Sequence, residues 1–516
     1  MMSPTDLSLV SALGRRAQDR PDDPVIRDDA DAVLDAGTVW RLATALATTL
    51  REQGTRRGDR VCWSGRNDPG LLVTLLATHL AGAVFVPLNF RATGPELAAA
   101  LDLVEPRAVV VHPATGPVDP DLAACAPARL DWPTAALRPA DDEPAVSPDP
   151  DDLAVLMFTS GSTGRPRAVM LSHANLWWSS RNLEECLDLR ADDVTLAVAP
   201  MFHIGGLNTF TLSTLRRGGT AVVRSTFCAE RTLTDLAVGG ITSVFGVPAM
   251  YAAIARCPEF GQTDLSHLRV ALVGGAPVAT QLVEAYARQG ATLYPSWGMT
   301  EVAPSGTLQR QARGGSPTCS IGTPLPYLEL QLVDTASGEV VTGAGRRGEI
   351  RVRGPQVTRG YWRDPQATAA ALADGWLRTG DLAVRADDGC LDVVGRMSDV
   401  INTGGEKVLP DEVAAAIAGL DVADLVVVGA PDPTWGEIVV AVLECDPATA
   451  PSLEEVRALA SPQLARYKLP KAVVALAALP RTASGKVDRC AVRTLAAYHL
   501  RPEQGDGSAA AVGPTD

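Results

Sequence analysis

The segment Thr159-Ser-Gly-Ser-Thr-Gly-Arg-Pro-Arg167 directly follows the apolar run Leu153–Phe158, so the sequence predicts a buried strand that leads into a hydroxyl-rich glycine turn. Its glycines let backbone N–H groups approach anionic oxygens, its hydroxyl groups donate hydrogen bonds, and its arginines add positive charge. It lacks the Gly-Lys-Ser/Thr of a Walker A motif, which disfavours a P-loop NTPase. An ordinary solvent loop can share this composition, so the phosphate-binding interpretation depends on motifs elsewhere in the chain.

The composition of the chain bounds its class. With 516 residues, of which 46% are hydrophobic, the chain can bury a large core and is long enough for more than one domain. The net charge of −14 argues against a nucleic-acid partner. The nine cysteines are odd in number, widely spaced and free of any CxxC pair, which argues against a disulfide framework or a zinc site. A reducing, cytoplasmic location is therefore expected.

One uncharged stretch is long enough to cross a membrane. It runs from Pro69 to Phe90, but Gly82 and Pro87 interrupt it. A buried helix over 71–80 followed by a strand over 83–86 explains it better, and His79 within that helix is then expected in the core. The N-terminus has no basic segment followed by an apolar core, so we expect neither a secretory signal nor a membrane span.

Short β-branched runs alternate with helical patterns along much of the chain, which predicts an α/β fold of parallel sheets covered by helices on both faces. Ligand-binding loops are then expected at the carboxyl ends of the strands. Strands are predicted at 107–111, 153–158, 195–199, 221–224, 242–245 and 269–273, and helices at 175–187 and 280–289.

The pattern changes twice towards the C-terminus. A large N-terminal domain is predicted over 1–395, and its last part, about 325–395, is a β-rich subdomain. A small mobile α/β domain follows over 396–500, and the tail over 501–516 is expected to be disordered. The supporting strands are predicted at 329–333, 349–352, 390–394, 424–429, 438–443 and 472–476, and the supporting helices at 411–417 and 453–464.

Five short motifs follow the 159–167 loop along the chain. They are Trp297-Gly-Met-Thr-Glu301, Gly348-Glu-Ile350 with Pro355, Thr379-Gly-Asp381, Gly395-Arg396 with Asp399, Gly404-Gly405 and Glu412, and Pro480-Arg-Thr-Ala-Ser-Gly-Lys486. Each is weak alone, but five in this order are hard to obtain by chance. Over almost its whole length the chain resembles the adenylate-forming superfamily of acyl-CoA synthetases, luciferases and adenylation domains, and it is most similar to the stand-alone acyl-CoA ligases.

The resemblance implies that a carboxylate attacks the α-phosphate of ATP although both are anionic, so cations and a metal must neutralise charge and align the groups. Glu301, together with Thr159, is implied to hold Mg²⁺. Asp381 is implied to accept hydrogen bonds from both ribose hydroxyls, and Lys486 to bridge the carboxylate and the α-phosphate. The other implied ATP contacts are Ser160, Gly161, Ser162, Thr163, Gly164, Arg167, Gly275, Ala276, Trp297, Gly298, Met299, Thr300 and Arg396.

Several of these residues also suit structural roles. A tryptophan such as Trp297 is elsewhere most often a core anchor, although the motif favours stacking on adenine. A lysine such as Lys486 is elsewhere a solvated surface group, and Arg396 suits an ion pair at a domain boundary. The implied catalytic residues are Lys486, His203, Glu301 and Thr300.

The acyl acceptor is predicted from Gly404, Gly405 and Trp435, which resemble the glycine turn and tryptophan that line a pantetheine tunnel in the CoA ligases. Glycines make room for a thin chain. Swinging of the C-terminal domain would bring this face to the acyl-adenylate. Transfer to the pantetheine of a carrier protein in trans is the rival, and a non-catalytic nucleotide sensor or scaffold is a further alternative.

Two departures from the family pattern concern charge and the hinge. Arg167 stands where lysine is usual, which keeps the charge but changes its geometry. Ser398 stands where Asp or Lys is usual at the hinge, and Asp399 is the alternative pivot.

The substrate class is predicted from Pro200-Met-Phe-His-Ile-Gly-Gly206, which resembles the acyl-side motif of fatty and aryl acid ligases and places His203 beside the carboxylate. Residues 200–212 contain no acidic side chain to pair with an α-ammonium, so a free amino acid is not expected. Small or apolar walls are expected to leave space for a fatty, aryl or bulky polycyclic acid. The predicted pocket residues are His203, Gly206, Gly246, Val247, Gly274, Gly275, Ser296 and Gly298.

The sequence thus predicts an ATP-dependent carboxylate–CoA ligase that forms an acyl-AMP intermediate. Its expected cofactors and partners are ATP, Mg²⁺, coenzyme A and a small carboxylic acid. A homodimer is compatible with these expectations.

Overall fold

The structure is a computed structural model that describes residues 8–112, 128–132, 148–160, 166–310, 320–482, 486–500 and 511–512. The chain divides into two compact units, Met1–Leu330 with Arg351–Arg378, and Gln331–Ile350 with Thr379–Asp516. The sequence predicted a boundary at 395/396. Residues 379–395 group with the C-terminal unit because Asp381 pairs with Arg396 across two antiparallel strands. Where the chain bends remains a prediction.

The first unit contains two sheets of mostly parallel strands. One has the order β6-β5-β3-β4-β7-β8 and is parallel except for the pair β7–β8. The other has the order β13-β12-β11-β9-β10-β1-β2 and is parallel except for the pair β1–β2. These strands are β1 (Pro24–Arg27), β2 (Val33–Asp35), β3 (Arg60–Ser64), β4 (Val84–Leu88), β5 (Ala108–Val111), β6 (Ala128–Asp131), β7 (Leu153–Ser160), β8 (Pro166–Ser172), β9 (Val194–Ala197), β10 (Thr220–Val223), β11 (Ser243–Gly246), β12 (Val270–Gly274) and β13 (Leu293–Ser296).

Helices cover these sheets. The helix over residues 69–80, which is the first part of the uncharged stretch, lies in the core. In chain order the helices of the first unit are α1 (Leu9–Asp19), α2 (Ala36–Glu52), α3 (Pro69–Leu80), α4 (Gly94–Val104), α5 (His173–Glu184), α6 (Ile204–Asn208), α7 (Thr211–Arg217), α8 (Ala229–Val238), α9 (Pro248–Ala255), α10 (Thr280–Arg288) and α11 (Pro365–Ala371). The side chain of Asp68 caps α3, and Pro69 begins it. The helix is buried on nearly all sides because it is apolar all round.

The remaining strands lie partly in the last part of the first unit and partly in the second unit. They are β14 (Thr307–Leu308), β15 (Thr323–Pro324), β16 (Glu329–Val333), β17 (Arg347–Arg353), β18 (Leu372–Ala373), β19 (Trp376–Arg385), β20 (Leu391–Arg396), β21 (Ile401–Thr403), β22 (Glu406–Val408), β23 (Asp424–Asp432), β24 (Gly436–Glu444), β25 (Ala472–Leu476) and β26 (Ala511–Val512). The C-terminal sheet has the order β22-β21-β24-β25-β26, with β23 also paired to β24. Its helices are α12 (Pro410–Ala416), α13 (Leu453–Ala460) and α14 (Arg489–His499).

The predicted fold class is confirmed, with a large N-terminal part of parallel α/β sheets, a β-rich part and a small α/β C-terminal part. Predicted strands and helices agree with the structure to within a few residues. The strand β8, however, was not predicted. Within the tail expected to be disordered, the structure describes only Ala511–Val512, which pair with β25.

The uncharged stretch Pro69–Phe90, which is long enough to cross a membrane, is divided between α3 and β4. In the ranges that the structure describes, no helix is both long and apolar enough to span a bilayer. His79 in α3 is buried, as predicted, and its Nε2 donates to the carbonyl oxygen of Ala154 at 3.0 Å.

Candidate active site

The predicted phosphate loop joins two antiparallel strands. Thr159 at the end of β7 pairs with Arg167 near the start of β8, and Ser160 pairs with Pro166. β7 and β8 are thus paired antiparallel strands at the edge of the sheet, and the motif includes the end of one and the start of the other. The predicted contacts Gly161, Ser162, Thr163 and Gly164 lie outside the described residues.

Arg167 is held by two neighbours in the same unit. Its guanidinium carbon lies 5.6 Å from the centre of the Tyr361 ring, and its Nε is 3.9 Å from Oδ2 of Asp364. The side chain is about one third exposed, so it keeps contact with solvent. A planar cation on an aromatic face suits a phosphate-binding arginine at the base of the hairpin.

Glu301 lies in a short 3₁₀ helix, Thr300–Val302, that follows β13, and only 6% of the residue is exposed. The hydroxyl of Tyr361 donates a hydrogen bond of 2.8 Å to its Oε1. Burial and the adjacent carboxylate both raise the pKa of Tyr361, so its hydroxyl remains protonated and able to donate. The backbone oxygen of Glu301 accepts a further bond of 2.8 Å from the N–H of Thr358.

One segment, residues 356–362, is bonded both to the turn that carries Glu301 and to β8. The side-chain amide of Gln356 donates to the carbonyl oxygens of Val302 and Ser305, each at 2.6 Å. The hydroxyl of Thr358 donates to the carbonyl of Met170 in β8 at 2.6 Å. The sequence interpretation missed this segment, and the only available signal was that it directly follows the motif ending at Pro355.

The oxygen ligands available here fit Mg²⁺. Within the described residues, no group of three or more His, Cys, Asp or Glu side chains could hold a metal ion. Mg²⁺ does not need such a cage, because it keeps several waters and usually binds one or two carboxylates together with substrate phosphates. The buried carboxylate of Glu301 and the hydroxyl of Thr159 are oxygen ligands of the type that Mg²⁺ binds in this way.

The residues predicted to surround adenine are packed closely against the backbone. Trp297 is buried, and a Cβ placed on Gly306 would lie 2.6 Å from its six-membered ring. A Cβ on Gly298 would lie 1.9 Å from the carbonyl oxygen of Pro304. Trp297 therefore packs one part of its ring as a core anchor, and its stacking on adenine remains a prediction. The neighbouring Met299 and Thr300 are half-buried, whereas Gly275, with φ +88°, and Ala276 are exposed.

The predicted acyl pocket differs from the sequence interpretation in one respect. Its glycines were expected to leave space for a bulky tail, but side chains on them would meet close neighbours. A Cβ would lie 2.4 Å from the carbonyl oxygen of Pro200 at Gly206, 2.7 Å from that of Ser296 at Gly274, and 3.0 Å from the Tyr251 ring at Gly246. Tight packing thus requires these glycines, and they do not by themselves create room.

The predicted acyl contact His203 immediately precedes α6, in a segment that packs against several aromatic rings. Its ring lies 4.3 Å from that of Phe202, which in turn meets Phe90 edge-on at 5.5 Å. Phe245 at the end of β11 packs so closely on Gly205 that a Cβ there would lie 2.6 Å from it. Val247 follows this strand, and Ser296 at the end of β13 donates to the carbonyl of Thr307 at 2.8 Å.

In the second unit, Asp381, Arg396 and Lys486 form an electrostatic group. Asp381 is 5% exposed, and its Oδ1 lies 2.7 Å from Nε of Arg396. Lys486 is exposed to solvent, yet desolvation by surrounding atoms and repulsion from Arg396 lower its pKa, while Asp381 acts in the opposite direction. The structure thus brings a predicted ribose acceptor and two predicted phosphate-side cations within range of one another.

The predicted pantetheine face is built on a tight turn between β21 and β22. Gly404 and Gly405 both have positive φ, +60° and +87°, as a two-residue type I′ hairpin requires. A Cβ on Gly404 would lie 2.6 Å from Trp435, whose carbonyl accepts the N–H of Gly404. The ammonium of Lys471, which the sequence interpretation missed, lies 3.2 Å from the centre of the Trp435 ring.

The two candidate hinge residues lie in the 3₁₀ helix Met397–Asp399. The hydroxyl of Ser398 bonds to Oδ1 of Asp399 at 2.9 Å, and Oδ2 of Asp399 is 3.2 Å from Nη1 of Arg489 in α14. Asp399 is thereby tied to the body of the C-terminal unit, whereas Ser398 bonds only locally among the hydrogen bonds described for it. This favours Ser398 as the pivot, which remains a prediction.

Comparison with known proteins gives matches along nearly the whole chain. Residues 13–362 match the AMP-binding enzyme family, and residues 412–486 match the AMP-binding enzyme C-terminal domain. A feruloyl-CoA synthase from Amycolatopsis sp. is 42% identical over 482 residues, which cover 93% of this chain and 97% of that protein. The indoleacetate–CoA ligase of Aromatoleum aromaticum is 36% identical over 483 residues, covering 91% and 94%.

The fold also matches solved structures. The crystal structure of ATP-bound MatB from Rhodopseudomonas palustris superposes with a TM-score of 0.87 at 29% identity and covers 96% of this chain and 100% of that one.

Proposed function

This chain belongs to the AMP-binding enzyme family, and we propose that it activates an aryl or other hydrophobic carboxylic acid as an acyl-adenylate and transfers the acyl group to coenzyme A. The reaction class follows from the family and its relatives. The protein is an AMP-forming acid–CoA ligase that uses ATP, Mg²⁺, CoA and a carboxylic acid. The alternative of a non-catalytic nucleotide sensor is therefore set aside.

The observation that carries the substrate proposal is the segment around His203. Residues 200–212 offer no carboxylate for an α-ammonium, and Phe202, Phe90 and Phe245 place aromatic rings around this segment. Aromatic side chains favour apolar and planar groups over charged ones. The two relatives that are 42% and 36% identical are named for feruloyl and indoleacetate substrates, which supports aryl acids ahead of fatty acids.

In the adenylation step, the proposed roles follow from charge. Arg167 and the other residues of the 159–167 motif bind the outer phosphates, and Glu301 with Thr159 would hold Mg²⁺, which supplies positive charge to the phosphates when bound. Lys486 neutralises charge between the acyl carboxylate and the α-phosphate, so that the attacking oxygen can approach phosphorus. Asp381 fixes the ribose hydroxyls and thereby orients the nucleotide.

In the second step, we propose that the thiol reaches the acyl-adenylate beside Gly404 and Gly405. Their side-chain-free turn, next to Trp435, gives passage to a narrow pantetheine arm. A hinge at Ser398 would let the C-terminal residues exchange Lys486 for this turn. Transfer to a carrier-protein pantetheine, the rival acceptor, would use the same turn, but the relatives named for CoA support CoA as the acceptor.

We also propose a cytoplasmic location. All seven cysteines in the ranges covered by the structure are free thiols, which fits a reducing compartment.

A screen of acids for pyrophosphate release, with and without CoA, tests the proposal. Ferulate, indole-3-acetate and decanoate represent aryl and fatty acids, and phenylalanine is the matched amino acid. We expect the aryl acids to react fastest and a thioester to form only with CoA. Faster reaction with phenylalanine would contradict the substrate proposal, and pyrophosphate release without thioester formation would favour a carrier-protein acceptor.

A further inference from the structure

Tyr361 lies where two parts of the candidate active site meet, although they are far apart in sequence. Its hydroxyl donates to Oε1 of Glu301 at 2.8 Å, and its ring lies 5.6 Å from the guanidinium carbon of Arg167. The residue is 9% exposed. One buried side chain thus contacts both the carboxylate proposed to bind Mg²⁺ and the arginine proposed to bind phosphate.

The backbone around Tyr361 fixes the position of its ring. The N–H of Met170 donates to the carbonyl of Gly360 at 3.0 Å, and the N–H of Trp362 donates to the carbonyl of Ala168 at 2.8 Å, so this segment runs along β8. The N–H of Tyr361 itself donates to the hydroxyl of Thr368 at 2.9 Å. With the backbone held on both sides, the hydroxyl has little freedom to leave Glu301.

We propose that Tyr361 is a positioning residue of the metal and phosphate site, whose hydroxyl sets the orientation of the Glu301 carboxylate while its ring supports Arg167. The inference rests on the proposed roles of Glu301 and Arg167. A hydrogen bond on one carboxylate oxygen fixes the plane of the group and hence the direction of its other oxygen. Loss of such an outer partner typically weakens metal binding by about 10- to 100-fold.

Two substitutions separate the hydroxyl from the ring. Tyr361→Phe removes the donor and keeps the aromatic contact with Arg167, so the fold should be retained. Tyr361→Leu removes both. Tyr327→Phe is the matched control, because its hydroxyl donates to Glu185 at 3.3 Å in an exposed pair.

The measurement is the affinity of the enzyme–ATP complex for Mn²⁺, followed by electron paramagnetic resonance without any carboxylic acid, so that no turnover occurs. Tyr361→Phe should weaken Mn²⁺ binding by about 10- to 100-fold and leave the affinity for metal-free ATP unchanged. Tyr361→Leu should also weaken binding of metal-free ATP. Tyr327→Phe should bind both like the unaltered protein.

Glu301→Gln distinguishes the inference from the function on which it rests. It should weaken Mn²⁺ binding, and the double variant with Tyr361→Phe should be no weaker than Glu301→Gln alone, because the hydroxyl acts through the carboxylate. If Glu301→Gln binds Mn²⁺ normally, the proposed metal role of Glu301 is wrong, and the inference about Tyr361 is wrong as well. If Glu301→Gln weakens binding but Tyr361→Phe does not, only the role of Tyr361 is overturned.

Discussion

Nε of Arg396 lies 2.7 Å from Oδ1 of Asp381, and the two residues are direct partners across β19 and β20. The carboxylate proposed to bind ribose is therefore already engaged by a cation. Arg396 is 57% exposed and can turn towards solvent, whereas the buried carboxylate of Asp381 then needs ribose hydroxyls or another donor in its place. The cross-strand pairing nevertheless keeps the carboxylate pointing in a defined direction before nucleotide binds.

Asp381→Asn keeps the shape of that side chain but removes its charge. Hydrogen bonds to charged groups contribute about 1.5–3 kcal/mol, so we expect the KM for ATP in pyrophosphate exchange to rise about tenfold or more. Asp392→Asn, on the neighbouring strand β20, is the control and should leave this KM unchanged. An unaltered KM for ATP in Asp381→Asn would remove Asp381 from the nucleotide site.

Lys486→Ala should slow adenylation selectively. Loss of the cation between the carboxylate and the α-phosphate is expected to cost about 3 kcal/mol, or roughly a hundredfold in rate. Thioester formation from supplied acyl-AMP should be largely intact, because this step does not need the cation. Pyrophosphate exchange and CoA consumption are measured separately, and equal losses in both would argue against a role confined to the first step.

Gly405→Leu should have the reverse effect. Its φ of +87° strains any side chain, and among the described residues nothing lies within 4 Å of a Cβ there, so the new side chain would project into the path proposed for pantetheine. We expect CoA consumption to fall while pyrophosphate exchange continues. Gly338→Leu, at φ +74° with similarly open surroundings in the described structure, controls for backbone strain. A similar loss of CoA consumption in both variants would show that strain, and not blockage, is responsible.

The buried histidine pair predicts how stability depends on pH. The ring of His79 meets that of His173 edge-on at 4.5 Å, and burial lowers the pKa of His79 to about 4. An unfolded histidine titrates near 6.5. Between these values the unfolded chain binds a proton that the folded chain does not, so stability is lost as the pH falls from about 6.5 to 4.

For His79 alone this loss amounts to roughly 3 kcal/mol. His79→Gln keeps an N–H donor for the carbonyl of Ala154 but does not titrate. Urea unfolding at several pH values should show a shallower slope for this variant, with the remainder contributed by His173, whose pKa burial also lowers. Parallel slopes would mean that His79 is not a source of the acid sensitivity.

Regular elements were predictable where the signal is local. The runs at 153–158 and 472–476 are both apolar; Asp152 and Thr159 bound the first, Lys471 precedes the second, and the structure has strands there. β8 was missed because Pro166 and Arg167 begin it and interrupt the apolar pattern, while its pairing with β7 depends on the hairpin. The grouping of 379–395 with the C-terminal unit likewise arises from strand pairing, which a linear pattern does not contain.

The residues of the candidate site could be predicted from the motifs, but the contacts between them could not. The motifs indicated Glu301, yet its partner Tyr361 is 60 residues away, and no spacing rule joins them. The glycines of the acyl motif were interpreted as open space, whereas Gly206 and Gly274 are required by backbone oxygens that come close only in the folded chain. The sequence shows that a residue is small, but it does not show which atoms pack against that residue in the folded chain.

The most direct test of the central claim follows the acyl group through both half-reactions. The enzyme is incubated with ferulate, Mg²⁺ and ATP labelled at the α-phosphate, and CoA is added after the first product has formed. We predict a labelled feruloyl-adenylate before the addition, and its conversion to feruloyl-CoA with release of labelled AMP afterwards. The proposed function would be contradicted if neither ferulate nor, in parallel incubations, indole-3-acetate or decanoate gave a labelled adenylate, or if the adenylate formed but persisted after CoA was added.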